Sequence, residues 1–532
     1  MVYDAIVVGG GIGGLTSAAF ICKSGHNVLL CEKEDQPGGL IGSFDYKGFT
    51  FDSGIRAMEN SGILFPMLKQ LKLDLDFLDN DVSIGIEDDV VNLTSEASLK
   101  EYQDMLCRQF PDETDSIAAL IDIIKQTMVY MDVIYGIDNP LFMDLKNDRE
   151  YIIKTLLPWM FKYITTVGKI KRLNVPVETY LKGITDNQAL IDLIAQHFFT
   201  ATPAFFALSY FSLYLDYKYP RGGTGALISK LADYIQGNGG IIKTGSMIRS
   251  VNPSENTITD SNGKTYQYKK LIWAADAKTL YSSIDQIERL PRAVAKKIAD
   301  RKSYLSDKTG GDSVLTLYIT ADLDKSYFKG ISGAHFFYTP KKQGIGTVPV
   351  ERILTTDKSY TKDREEIFDW LRDFLQMTTY EISIPAMRDA ALAPEAKTGL
   401  IISTLIDYPL VKHFEEQGWY DAFKEVCRET IAASLIDSVY PELEGRIIDG
   451  FVSTPLTIEK RTGNSDGAIT GWAFTNESMP AVSSMPKIAQ SIRTPIPDVL
   501  QAGQWTYSPS GFPISILTGK MAADSAVKKL RR

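Results

Sequence analysis

Tyr3-Asp4-Ala5-Ile6-Val7-Val8-Gly9-Gly10-Gly11-Ile12-Gly13-Gly14-Leu15, followed by Glu32 18 positions after Gly14, is the stretch on which the fold turns. Tyr3 to Val8 is short, mostly apolar and rich in β-branched residues, which suits a parallel strand buried on both faces. Leu15 to Lys23 reads as a helix with Gly25 as its stop signal, and His26 to Cys31 as a second apolar strand running into Glu32. The run Gly9 to Gly14 contains GxGxxG at Gly9, Gly11 and Gly14, with Gly13 inside it. Gly9 permits the tight turn, Gly11 lets the backbone approach a pyrophosphate, and Gly14 lets helix and strand pack closely. Free N–H groups at the helix start, aided by the helix dipole, would bind the diphosphate, and Glu32 would accept bonds from a ribose. The glycines alone are weak evidence. Strand, glycines, helix, strand and acid in register predict a Rossmann-like dinucleotide-binding domain.

Pro37-Gly38-Gly39 follows a few residues after Glu32, and then comes Gly48-Phe49-Thr50-Phe51-Asp52-Ser53-Gly54. Here the chain resembles the flavoprotein superfamily of amine oxidases, within it most of all the bacterial-type phytoene desaturases, carotenoid isomerases and retinol saturases. The resemblance implies FAD as cofactor, with Gly38 and Gly39 near the diphosphate and the segment ending at Gly54 near the flavin. In those families the glycine pair is often followed by Arg. Leu40 stands there instead, so a phosphate contact is expected to be missing.

Tyr219-Pro220-Arg221-Gly222-Gly223-Thr224-Gly225 resembles a second segment of the same families, and precedes a helical run from Ala226 to Gln236. Strand-like runs follow at 239–244, 246–251 and 270–276, and the resemblance places a backbone contact to adenine at Ile248. Near the C-terminus, Leu500-Gln501-Ala502-Gly503-Gln504-Trp505 reads as a strand entering a turn, followed by Ser508 to Pro513 and a helical run from Ile514 to Leu530. The resemblance puts Gly503 on the ribitol-phosphate side and the helix start, with Pro513 and Ile514, facing the flavin ring. Helix N–H groups there would stabilise negative charge on a reduced flavin. Gln504 replaces the acidic residue common elsewhere in the superfamily.

The three matching pieces lie far apart, which predicts an α/β (α+β overall) architecture with a discontinuous FAD-binding domain. The expected pieces are 1–85, 216–285 and 491–532, with a helical subdomain at 86–215 and a mixed-sheet α+β substrate domain at 286–490. Helices are expected at Ser116 to Tyr135 and Thr185 to Phe199.

Composition narrows the chemistry. The chain has 532 residues, and 57 Lys plus Arg against 66 Asp plus Glu leave a formal charge of -9, which argues against a nucleic-acid partner. Four scattered cysteines (Cys22, Cys31, Cys107, Cys427) and four scattered histidines lack metal-ligand spacing, so no metal site and no disulfide framework are expected. The start of the chain has no signal-peptide character, and a cytoplasmic protein is expected, on the inner membrane face if attached. Two uncharged runs, 5–22 and 198–215, are interrupted by glycines or Pro203 and do not read as membrane spans. Tyr151 to Arg172 combines bulky apolar residues with Lys154, Lys162, Lys169, Lys171 and Arg172 and no acid. That pattern suits either a basic amphipathic helix lying in a membrane interface or a helix of the substrate domain with snorkelling lysines. Pro158 is expected to kink or restart it.

FAD exchanges a hydride at N5, so the protein mainly has to orient a bond against it and exclude water. The resemblance implies desaturation, saturation or isomerisation of a long apolar polyene or isoprenoid lipid. Arg56, Tyr219, Arg221 and Tyr507 are the polar candidates near the ring: Arg56 to stabilise flavin charge, Tyr219 or Tyr507 to donate a proton. Tyr360, Tyr408 and Trp419 are candidate tunnel residues. A flavin amine oxidase is the alternative within the fold, although neither its aromatic pair nor its lysine can be assigned. A prenyl-protein escort of the same fold is the third reading, and the intact glycine motif and Glu32 speak against it.

Overall fold

The computed structural model describes residues 2–531. Strand Val2–Val8 lies between two parallel neighbours, with Ala5 opposite both Val28 of strand Val28–Cys31 and Lys270 of strand Thr265–Trp273. It is apolar throughout its inner part because both faces are covered. Ala5 and Val7 pack with helices Ile12–Lys23 and Phe512–Leu530, while Ile6 and Val8 pack with Tyr268, Trp273 and Ile298 on the other side. Ile241–Lys243 extends this sheet beyond Val28–Cys31, and Val499–Gln501 joins Thr265–Trp273 in parallel. An antiparallel pair, Ile248–Asn252 and Thr257–Asp260, completes its seven strands. The sheet thus draws strands from three separated stretches of chain, as expected.

The first and last helices press together through small residues. A side chain on Gly519 would come 2.4 Å from the Gly13 carbonyl, and the Ser17 hydroxyl donates to the Gly519 carbonyl at 2.9 Å. The N-terminal glycine motif and the C-terminal helix therefore form one unit.

A second seven-stranded sheet runs in the order Ile447–Ser453, Ser313–Ala321, Thr398–Ile406, Tyr380–Ser383, His335–Thr339, Val82–Ile86, Asp89–Leu93. The expected boundary at 85 falls inside Val82–Ile86, which pairs with His335–Thr339, so the second sheet claims the chain from 82 onward. The boundary at 285 also shifts. Helix Arg292–Ser306 buries Ile298 and Leu305 against Leu271 and Trp273 of the first sheet, as do Ala468 and Trp472 further on. Hydrophobic patterning marks elements, and which sheet an element covers is decided by packing.

The helical layer is built on Thr114–Tyr135, whose Ile117, Ile121 and Ile124 pack with Ala207, Phe211 and Tyr214. The helix expected at 185–199 is shorter, Gln188–Ala195, because Thr185 and Asn187 cap its start and Phe198 to Thr202 form turns. Residues 149–173 are almost continuously helical: Arg149–Tyr151, a π-helical turn at Ile152–Leu156, then Leu157–Ile170 and Lys171–Leu173. Pro158 sits in the first turn of Leu157–Ile170, where its missing N–H is tolerated and the π turn before it absorbs the restart. Ile153, Leu157, Met160, Phe161 and Ile164 are exposed, Phe161 by 74% and Ile164 by 69%. Their helical spacing places them on one outward stripe. No helix among the described residues is long and apolar enough to cross a membrane.

Candidate cofactor and substrate site

The glycine motif makes a bare anion cradle. Gly14 is needed for packing, since a Cβ there would lie 1.9 Å from the Gly9 carbonyl oxygen, and Gly9 has φ +101° with its own Cβ position 2.6 Å from the Ala274 carbonyl oxygen. A Cβ on Gly13 would lie 3.0 Å from Gly503 Cα. Gly11 differs: a Cβ there meets nothing within 4 Å, and its φ -70°, ψ 176° suit any residue. Helix Ile12–Lys23 starts at this open point with no side-chain cap and no acid in its first turn. Its first N–H groups are therefore available to an anion. Gly38 donates to the Gly10 carbonyl at 2.9 Å, and exposed Gly39 lies over Gly11, so the glycine pair borders the same space.

Glu32 is aimed by backbone amides. One carboxylate oxygen accepts from Gly10 N–H at 2.6 Å and the other from Glu34 N–H at 2.9 Å. Both oxygens keep acceptor capacity for a ribose diol. Ser246 N–H donates to the Glu32 carbonyl at 2.7 Å, and this brings buried Ile248, two residues on, beside the Glu32 end of the cradle.

At the other end Gly503 is open, with no neighbour within 4 Å of its Cβ position. Pro513 and Ile514 are buried in the first turn of Phe512–Leu530, which also lacks a side-chain cap. Gln504 is half-buried, and its side chain has no protein hydrogen-bond partner among the described residues. The Ser510 hydroxyl, just before this helix, and Nε of Arg56, in the segment after Gly54, are buried with no hydrogen-bond partner among the described residues. Two uncapped helix starts, the open Gly11 and Gly503, and the unpartnered Ser510 hydroxyl fit a dinucleotide, whose diphosphate Gly11 and the first helix start would hold.

Asp52 explains why two of the sequence segments occur together. Its Oδ1 accepts from Thr224 N–H at 2.8 Å, Thr224 Oγ1 at 2.8 Å and Ser43 Oγ at 3.0 Å, and its Oδ2 accepts from Tyr219 Oη at 2.7 Å. Gly54 fits against Leu40, whose carbonyl oxygen a Cβ would strike at 1.8 Å. Tyr219 is fully buried under the Arg388 guanidinium, 4.5 Å from its ring centroid, with its proton committed to Asp52. It is a structural clasp rather than a proton donor to substrate. Arg221 turns outward, half-exposed, and pairs with Asp76 at 2.7 Å, so it does not join the site. Tyr507 remains: it is buried, its hydroxyl has no protein hydrogen-bond partner among the described residues, and burial raises its pKa. Arg56 crosses to the second sheet, donating to Gly54 O and, at 3.0 Å, to Ser403 Oγ.

That contact marks the sheet face turned toward the Gly54–Arg56 segment. Thr316, Ser403, Glu381 and Phe337 are direct cross-strand neighbours and so share it, with His335 and Ser383 one pair further along. Opposite stand the rings of the helical layer. Tyr214 and Phe337 centroids are 5.0 Å apart, His197 and Phe337 5.6 Å, Tyr217 and His335 5.4 Å, Tyr210 and Tyr214 5.4 Å. Burial pushes His197 down to about 4, which keeps it neutral at pH 7, and pushes Glu59, which borders Asp216, up to about 7. His335 Nε2 lies 2.8 Å from Glu381 Oε1, and His335, Arg56 and Arg388 hold the Glu381 carboxyl below its ordinary range against the opposing effect of burial.

Glu381 carries no signal in the sequence because a charged residue in a strand ordinarily marks the solvent face, and His335 and the tyrosines at 210–217 read as ordinary core residues. The candidates Tyr360, Tyr408 and Trp419 lie elsewhere: Tyr360 and Trp419 pack around His413, and Tyr408 donates to Glu459 at 2.8 Å. All four cysteines are free, and no metal-binding cluster occurs among the described residues.

The cradle is that of an FAD-dependent oxidoreductase, and the fold is like that of solved amine oxidases. The family model for the NAD(P)-binding Rossmann-like domain matches residues 7–71. A 4,4'-diapophytoene desaturase (4,4'-diaponeurosporene-forming) of Staphylococcus aureus is 23% identical over 562 residues, covering 99% of each chain. An all-trans-retinol 13,14-reductase of Danio rerio is 24% identical, covering 94% of this chain and 82% of its own. Among solved structures, cyclohexylamine oxidase from Brevibacterium oxydans superimposes with TM-score 0.60 at 12% identity over 100% of both chains, a likeness of fold.

Proposed function

We propose that the protein acts on a C–C or C=C bond of a long apolar polyene or isoprenoid lipid, by desaturation, saturation or isomerisation at the flavin. The observation that carries this reading is the aromatic lining between helical layer and second sheet, Tyr210, Tyr214, Tyr217 and Phe337, set against the sheet face that Arg56 joins to the cofactor cradle. Flat ring faces suit a conjugated or isoprenoid chain. The substrates named in the two curated relatives are of this kind.

FAD supplies a hydride acceptor or donor at N5 of its ring. The chain's own residues do the rest. The two helix starts would hold the diphosphate and the ring edge, the aromatic rings would orient the substrate, and the helical layer would exclude water. Arg56, with Nε unpaired, would supply positive charge to the bound ring, and the Tyr507 hydroxyl would be the proton donor if a double bond is saturated. Replacing Tyr507 by Phe with turnover unchanged would remove it from this role.

The outward stripe of helix 149–173 is the membrane contact in this reading. Its exposed apolar side chains enter the interface while Lys162, Lys169, Lys171 and Arg172 meet anionic headgroups. An apolar lipid is then drawn directly from the bilayer. The test is anaerobic mixing of FAD-loaded protein with polyene-containing vesicles. The reading expects the flavin's visible band to change on contact with the polyene, and a band indifferent to every polyene but altered by an aliphatic amine would overturn it.

A further inference from the structure

We propose that Glu381 anchors a hydroxyl group of the substrate, so that the enzyme takes a polyene or isoprenoid alcohol in preference to a hydrocarbon. The inference rests on the lipid reading above and specifies its substrate. Glu381 sits on strand Tyr380–Ser383, in the interior of the second sheet with a paired strand on either side. Its side chain points to the face covered by the aromatic helical layer. One oxygen, Oε1, is taken by His335 at 2.8 Å, while Oε2 has no protein partner among the described residues. The side chain nevertheless keeps 36% of its surface accessible. A residue in mid-sheet, beneath a covering layer, can be that accessible only toward an internal space.

A hydrocarbon filling this space would strip water from Oε2 and give nothing in return. A hydroxyl would replace that water with a hydrogen bond to a charged acceptor. His335 is the positioning residue: it is itself stacked between Tyr217 and Phe337, 5.4 and 5.0 Å between centroids, and fixes which oxygen is free. An ammonium group is the poorer occupant, because the guanidiniums of Arg56 and Arg388 both act on Glu381 and would repel a second cation.

The test uses FAD-loaded protein titrated with all-trans-retinol and with the same polyene carrying hydrogen in place of the hydroxyl, both followed by perturbation of the flavin band. The wild type is expected to bind the alcohol about tenfold to a hundredfold more tightly, the range of a hydrogen bond to a charged group. Glu381→Leu should abolish the preference, and Glu381→Gln, whose amide oxygen still accepts, should keep part of it. If Glu381→Leu fails to retain FAD, Glu381→Gln against wild type carries the comparison. Equal affinities in the wild type, or an unchanged preference in both variants, overturn the proposal and leave the lipid reading standing. Neither lipid perturbing the flavin, while an alkyl amine does so, overturns the lipid reading and this proposal with it.

Discussion

Replacing Gly11 by alanine separates what the cofactor needs from what the fold needs. The new methyl group meets no protein atom within 4 Å, and φ -70°, ψ 176° is an ordinary extended conformation. At such a position Gly→Ala restricts the unfolded chain and stabilises by about 0.4–1 kcal/mol. The apoprotein should therefore be slightly more stable than wild type in urea. The same methyl stands where the diphosphate must approach the helix N–H groups. Losing two hydrogen bonds to a charged group costs about 3 kcal/mol, or about a hundredfold in Kd for FAD. Gly14→Ala is the control with the opposite pattern: its Cβ would sit 1.9 Å from the Gly9 carbonyl oxygen, far inside a contact distance of about 3.5 Å, and overpacking of that kind costs about 1–3 kcal/mol or more in the apoprotein itself. Equilibrium urea unfolding of apoprotein and FAD titration of each variant read both quantities. An apo Gly11→Ala protein destabilised by more than about 1 kcal/mol, or one that binds FAD as wild type does, would refute the reasoning.

Asp52→Ala should destabilise the protein by about 3–5 kcal/mol, measured by urea unfolding, because it leaves the Tyr219 hydroxyl and the Thr224 N–H buried and unpaired. Phe161→Asp with Ile164→Asp should weaken sedimentation with anionic vesicles while leaving the melting temperature unchanged, since both side chains are exposed; unchanged sedimentation would dismiss the membrane contact. Glu59 gives a pH signature. Its carboxyl keeps a proton to about pH 7 in the folded protein but loses it near pH 4.5 when unfolded. Its contribution is thus fully present below pH 4.5 and is lost as pH rises through 7, by up to about 3 kcal/mol. Glu59→Gln should remove that decline from the difference between the two stability-pH curves, and superimposable curves would contradict the burial of Glu59.

The cofactor half of the site was legible because a diphosphate cradle is local. Gly9 to Gly14 and Glu32 form the candidate cradle within one strand–helix–strand unit, and Gly38 and Gly39 sit close behind. The substrate half depends on cross-strand register. Ser403, Glu381 and Phe337 become neighbours only through pairing of strands 22 to 44 residues apart, and nothing in Thr379 to Ile384 distinguishes an inward Glu from a solvent-facing one. Tyr219 and Arg221 illustrate the same limit. Polar residues two positions apart in a matching segment point in different directions, one clasped by Asp52 and the other paired with Asp76 at the surface. Domain boundaries slipped for a related reason: strand Val82–Ile86 has no local feature that assigns it to the second sheet.

The most direct test of the account is mass spectrometry of apolar lipid extracts from cells with and without the protein, with purified FAD-loaded enzyme and the candidate lipid as a second comparison. The account predicts a polyene or isoprenoid lipid that differs by two hydrogens, or an isomer of unchanged mass and altered retention, formed only when the enzyme is present. Identical lipid profiles, with turnover of an amine by the purified enzyme, would contradict it.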